Sequence, residues 1–177
     1  MKKFELTSNT RIRFGKTLYQ LKALISFGIV KAGELGGYVE KESNLDHFGD
    51  AWVSGNAEVF GDARVSGNAW VSGDARVSGN AWVSGNARVS GDARVSGDAD
   101  YLVIGPIGSR DAFTTFYRRK DGVTMVVCGC FHGTIDEFEK AVSETHGDSP
   151  HAVAYRVAVQ VAKARINTKP VKESENE

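Results

Sequence analysis

Residues 51–98 repeat one six-residue unit, Ala-x-Val-Ser-Gly-(Asn/Asp), eight times without interruption. Alanine recurs from Ala51 to Ala93, valine from Val53 to Val95 and glycine from Gly55 to Gly97; only Phe60 breaks the serine column. A fixed short period constrains a chain more tightly than its composition does. One unit cannot bury its own apolar face, so the units must stack into a solenoid. Within a unit Ala and Val lie two apart, and on a strand they point to the same side. The variable residue and Ser point to the other. Gly followed by Asn or Asp makes the corner, because these residues accept positive φ with little strain. The expected fold is mainly β, a parallel β-helix filled with small apolar residues. Three units close one 18-residue coil with three flat walls. About three coils, covering residues 45–100, would stand roughly 14 Å tall at strand spacing.

The run Val53-Ser54-Gly55-Asn56-Ala57-Glu58 resembles the hexapeptide-repeat, left-handed β-helix superfamily. Its pattern is an aliphatic residue, a small or acidic residue, two free positions, a small residue and one free position. The resemblance covers about a third of the chain. It implies left-handed coils, a known exception to the right-handed crossover rule. Enzymes of that superfamily are acyltransferases with a catalytic His, a loop leaving the coils and a long helix beside the acyl cofactor. Here the eight repeats carry no insertion, no His and no Cys. The groups for base-assisted acyl transfer are thus missing from the place where the family keeps them. The expectation is a non-enzyme without a cofactor, with acyltransferase activity as an alternative, since fold alone does not license function.

The outward variable positions sort into three columns on an 18-residue coil: Trp52–Trp70–Arg88, Arg64–Trp82–Asp100 and Glu58–Arg76–Arg94. Stacked Trp and Arg side chains stabilise neighbouring strands by aromatic and cation–π contact. Exposed, they also anchor interfaces. Trp52, Arg64, Trp70, Arg76, Trp82, Arg88 and Arg94 are therefore candidate interface residues. Self-association into a homotrimer, as in many hexapeptide-repeat proteins, is expected ahead of a foreign partner or simple ladder packing.

Charge separates the segments. Residues 1–44 hold eight bases against four acids, residues 45–100 four against eight, and residues 101–177 ten of each. A net-negative solenoid argues against general binding of duplex nucleic acid, which requires phosphate neutralisation. No apolar run is long enough for a membrane span and no signal peptide is visible. Cys128 and Cys130 are the two cysteines; their spacing suits a reducing cytoplasm better than a disulfide framework.

The solenoid's flanks complete the expected organisation. Residues 1–44 read as an N-terminal cap over an open strand edge, with mixed strand and helix signals around Leu18, Leu21 and Leu24. His47 holds a position where a repeat would carry Val and reads as a buried, hydrogen-bonded residue rather than a catalyst. Residues 101–167 read as an α+β module of three strands (Tyr101–Ile104, Phe113–Tyr117 and Val123–Cys130) and two helices. Thr134 with Glu137 forms a capping box for the first helix. Ser149-Pro150 starts the second, with Val153, Val157 and Val161 as its apolar stripe. Residues 168–177 read as a disordered tail.

Two places in this module could hold chemistry. Gly105-Pro-Ile-Gly-Ser-Arg110 offers backbone approach to an anion, the Ser109 hydroxyl and the Arg110 fork, with Thr115, Tyr117 and Arg118 on the next strand as further ligand candidates. An ordinary hairpin connection with a surface Arg is the competing reading, since the loop lacks P-loop spacing. Cys128, Cys130 and His132 would share one face of a continuous strand and, with His146 or water, could hold zinc. The spacing departs from the usual zinc pattern, and buried Cys is often a small hydrophobe; the expectation is no metal.

The whole arrangement is similar to proteins common in phages and prophages. The residues that carry the likeness are Leu-Gly-Gly-Tyr-Val-Glu-Lys-Glu at 35–42, the repeats, Gly-Pro-Ile-Gly-Ser-Arg at 105–110, Thr-Thr-Phe-Tyr-Arg at 114–118 and Gly-Cys-Phe-x-Gly-Thr-Ile-Asp-Glu-Phe-Glu at 129–139. It implies a viral or prophage origin and no particular activity. By analogy with phage accessory proteins of this size, which often bind a host component, the expectation is a protein of the host cytoplasm that binds a defence protein or a phosphorylated small molecule such as a nucleotide immune signal. A structural or virion assembly role is the other alternative.

Overall fold

A computed structural model describes residues 2–171. The chain forms two compact units, residues 2–98 and Ala99–Val171.

The first unit is the solenoid with its cap. Each repeat contributes one two-residue strand: β4 Trp52–Val53, β5 Glu58–Val59, β6 Arg64–Val65, β7 Trp70–Val71, β8 Arg76–Val77, β9 Trp82–Val83, β10 Arg88–Val89 and β11 Arg94–Val95. Pairing is parallel and joins residues 18 apart: Trp52 with Trp70, Trp70 with Arg88, Glu58 with Arg76, Arg76 with Arg94, Arg64 with Trp82. The walls are thus the three columns expected from the period, except that Asp100 lies in a short 3-10 turn, Asp98–Asp100, and does not extend the β6–β9 wall. Amides donate up to the next coil, as from Trp52 N to Ala69 O (3.0 Å) and from Arg64 N to Ala81 O (2.9 Å). Every repeat Ala and Val is buried to within 1 %. The corner glycines from Gly49 to Gly91 hold φ between +61° and +71°. At Gly67 a Cβ would also come within 3.1 Å of the Gly85 amide nitrogen, so both conformation and stacking demand glycine there.

Residues 4–39 build the cap. Strands β1 (Phe4–Arg13) and β2 (Lys16–Ala23) form an antiparallel hairpin closed by Phe14-Gly15, both at positive φ as a tight hairpin turn requires. β2 pairs with β3 (Leu35–Val39), and β3 pairs in parallel with β5, so the hairpin extends one solenoid wall into a six-stranded sheet. The Leu18–Leu24 stretch is therefore mainly strand. Two buried polar side chains finish the first coil. Lys3 Nζ donates to the carbonyls of Gly49 (3.2 Å) and Ala51 (2.9 Å), and Asn44 Nδ2 to those of Gly61 (3.1 Å) and Ala63 (2.8 Å). These are the Gly and Ala carbonyls that, one coil later, accept backbone amides. The side chains imitate a missing coil and satisfy otherwise orphaned acceptors.

The second unit is an antiparallel meander, β12 (Tyr101–Ile107), β13 (Ala112–Arg118), β14 (Thr124–Cys128) and β15 (Phe131–Thr134), followed by α1 (Ile135–His146) and α2 (Pro150–Arg165). It has four strands rather than three, because Gly129 at φ +59° turns the chain where a continuous strand was expected. Both helix starts follow the sequence signals: Thr134 and Glu137 bond reciprocally, and Ser149 Oγ accepts from Ala152 N. The core gathers Phe116 and Val126 from the sheet, Ile135, Phe138 and Val142 from α1, and Ala152, Tyr155, Ala158, Val159 and Ala162 from α2. This corrects the stripe expected on α2: Val153, Val157 and Val161 are exposed. The small Ala face brings α2 close and leaves room for one large ring, Tyr155.

Residues 168–171 are held against this unit rather than disordered. Val171 N donates to Lys120 O at 3.0 Å, and Arg118 reaches Lys169 O at 3.4 Å. The remainder of the expected tail, 172–177, lies outside the described residues. Among the described residues no helix is long and apolar enough to cross a membrane.

Candidate functional site

A cavity of about 390 Å³ opens in the second unit, between the β12–β13 loop, the β14–β15 turn and the two helices. Its apolar wall includes Phe131, Phe138 and Val142; its polar groups are Ser109, Arg110, Thr145, His146, Tyr155 and the two cysteines. The loop reaches it because Gly108, at φ +77°, lacks the Cβ that would overlap the Tyr155 hydroxyl. Tyr155 is buried at 5 % exposure and packs edge-on against Phe138, with ring centroids 5.4 Å apart. Burial, then the hydrogen bond from Cys128, pushes its phenol up to about 12. It is a neutral hydroxyl at physiological pH. His146 lies against the same ring at 5.7 Å. Thr114 Oγ1 donates to Cys128 Sγ at 3.2 Å, fixing the thiol at the cavity wall. No carboxylate appears among the lining residues, while a guanidinium and an imidazole do.

The structure divides the ligand residues expected from sequence. Ser109 and Arg110 line the cavity. Thr115, Tyr117 and Arg118 do not, and all three are buried. Along β13 the side chains alternate, so Thr114 and Phe116 face the cysteine and the helices while Thr115 and Tyr117 face away. Tyr117 instead bonds His132 through its hydroxyl at 2.8 Å. Arg118 ends the strand and pairs with Asp100 at 2.9 Å, both side chains about 6 % exposed. Such a buried pair positions the strand end rather than a ligand.

The Cys128, Cys130 and His132 set also separates. Cys128 ends β14 and Cys130 lies in the turn, both at the cavity, whereas His132 lies on β15 with its ring bonded to Tyr117. Among the described residues no three His, Cys, Asp or Glu side chains are placed to hold a metal ion. His146 and Tyr155 are the cavity residues that the ligand expectation missed. The signal for Tyr155 was present: Ala152, Tyr155, Val159 and Ala162 also keep helical spacing and include the one tyrosine of α2.

On the solenoid, Trp52 is not a surface residue. It is fully buried, with Phe27 edge-on at 5.4 Å. Trp70 is half-buried; its Nε1 donates to Ser54 Oγ at 3.1 Å and Arg88 lies over its ring at 5.7 Å. Arg76 pairs with buried Glu58 at 3.2 Å, and Arg94 donates to the carbonyls of Asp74 and Ala93. These residues make ladder contacts. Phe60, the break in the serine column, meets Phe14 of the hairpin turn at 5.8 Å. Arg64 and Trp82, on the β6–β9 wall, are exposed. His47 is half-buried, accepting from Lys3 N at 3.2 Å and lying 2.7 Å from Glu42.

A family model described as the YdcK beta solenoid repeat matches residues 57–73, 69–85 and 87–99. The matched stretches run from the repeat of β5 to Ala99, the first residue of the second unit, and leave out the first repeat at 51–56. The protein is thus a β-solenoid repeat protein. No curated protein matches the chain.

Proposed function

We propose that this repeat protein is a binding protein whose second unit captures a small anionic molecule with a flat apolar body. A phosphorylated nucleotide signal is the leading class. In the reading that takes the chain as a phage or prophage accessory protein, capture in the host cytoplasm keeps that signal from a defence system. The observation that carries the proposal is the cavity's lining: the Arg110 guanidinium and the His146 imidazole line it, no carboxylate is among the lining residues, and aromatic rings form its wall. A guanidinium fork suits a phosphate, and the rings suit a base. At about 390 Å³ the cavity falls within the range of small-molecule sites.

Native mass spectrometry of protein taken gently from cells, followed by titration with mononucleotides and a cyclic dinucleotide, tests this. The expected result is saturable binding that Arg110→Ala weakens about tenfold or more, the worth of a charge-assisted hydrogen bond. Unchanged affinity in that variant, or no nucleotide binding at all, overturns the reading. A melting temperature raised by a coenzyme A thioester would support the acyltransferase alternative instead.

The expected homotrimer is best assigned to α2. Val153, Val157 and Val161 form an exposed β-branched ridge, while the flanking Arg156 and Lys163 already pair with Asp148 and Glu139. The same ridge on another copy can meet it without burying an unpaired charge.

A further inference from the structure

The solenoid has a second concavity, about 350 Å³, on the β6–β9 wall. Val65 and Leu45, joined by a parallel bridge, contribute its apolar lining. Trp82 adds an indole that is 56 % exposed. Its Nε1 donates to Ser66 Oγ at 2.8 Å, so the ring is fixed in one orientation. The remaining rim includes Glu42, Asp46, His47 and Arg64. Glu42 is ionised: hydrogen bonds from His47 (2.7 Å) and Lys2 (3.0 Å) hold its carboxyl below the usual range.

This rim selects among ligand classes. Among the lining residues an anion would meet two carboxylates, one of them already bonded to Lys2, for one guanidinium, and a cation drawn to the indole would meet Arg64. A neutral ring bearing several hydroxyls meets neither conflict. Each hydroxyl both donates and accepts, so carboxylate and guanidinium are usable together. One face of a pyranose is a patch of C–H groups made slightly positive by adjoining oxygens, which complements the negative face of an indole. We propose that this pocket binds a neutral pyranose sugar, stacked on Trp82 and hydrogen-bonded by Asp46 and Arg64. The proposal rests on the solenoid and does not depend on Arg110.

The chain has three tryptophans, so their indole N–H signals in proton–nitrogen NMR report the site directly, and Trp82→Phe assigns the relevant one. The probes are glucose, maltotriose and chitotriose, with sialic acid and choline as charged controls. At least one neutral sugar is expected to shift the Trp82 signal saturably while the Trp52 and Trp70 signals stay still. Trp82→Ala and Asp46→Asn should each weaken binding about tenfold, the loss of one stacking face or one charge-assisted bond. Trp82→Phe keeps an aromatic face and should retain part of the affinity, which separates lost stacking from misfolding. Binding of glucose as strong as that of the trisaccharides identifies a single-ring site; binding of trisaccharides alone identifies a glycan chain. No saturable shift with any neutral sugar, or a larger one with sialic acid or choline, overturns the proposal. So does a Trp82 signal that moves with protein concentration alone, which would mean a second copy covers the wall.

Discussion

The two units keep their cores by opposite means. The solenoid repeats one decision: Ala and Val inward, Gly at the corner, a backbone bond to the next coil. No single core side chain of the repeats except Trp52 is larger than Val. The second unit has no period and concentrates its core in a few large rings, Phe116, Phe138 and Tyr155, set against an Ala-rich helix. The first arrangement spreads stability evenly along a one-dimensional stack. The second depends on particular shapes and leaves, beside those shapes, a cavity. Regularity fills the interior of the coils; irregular packing in the second unit leaves a cavity beside its core.

The largest expected effect tests whether the two cores stand apart. Val77 is fully buried in the middle strand of its wall. Val77→Asp places a charge there without a partner and should cost about 4 kcal/mol or more. Both α-helices belong to the second unit. If its core is self-sufficient, the helical circular dichroism signal survives in the variant while β structure is lost. Loss of both in one transition would show a single cooperative core and break the comparison.

A smaller effect sharpens the account of the solenoid's open end. Burial pulls the Lys3 ammonium down from 10.5 to about 8, with Asp46 and Asp50 opposing the shift. Between those values the unfolded chain binds the proton more fully than the folded one, so folding gains stability as pH rises through the window. The gain is of order 3 kcal/mol across the full shift. Urea midpoints of the native chain and of Lys3→Met, compared from pH 7 to pH 10.5, should diverge in favour of the native chain as pH rises. Parallel curves would mean that burial does not shift the Lys3 ammonium.

What the sequence made legible follows the same division. The three columns were readable because position in the period fixes the wall and the neighbour eighteen residues away. Burial of Trp52 was not, because it depends on Phe27, which lies outside the repeats. In the second unit the capping box at Thr134 and the start at Ser149 were local signals and were readable. The gathering of Arg110, His146 and Tyr155 around one cavity was not, since it depends on how α2 rotates about its axis. Two stripes of that helix have helical spacing, and hydrophobicity favours the valines. Packing against the sheet favours the alanines, with Tyr155 filling the remaining space.

That rotation yields the smallest expected change in stability. Val157 is 57 % exposed. If the Tyr155 stripe is the inner one, Val157→Asp should leave the folding free energy of the isolated protomer, compared at concentrations where both chains are monomeric, within about 0.5 kcal/mol, as for surface substitutions generally. If the valine stripe faced the core, the same change would cost several kcal/mol by burying an unpaired charge. The variant also tests the oligomer. If the protein is the trimer proposed above with α2 at its contact, three aspartates brought together would repel one another, so native mass should fall to that of a monomer and the melting temperature should lose the part that assembly supplies. A trimer that persists in Val157→Asp would move the contact off α2 and onto the solenoid, where the exposed Arg64 and Trp82 wall is the next surface to substitute.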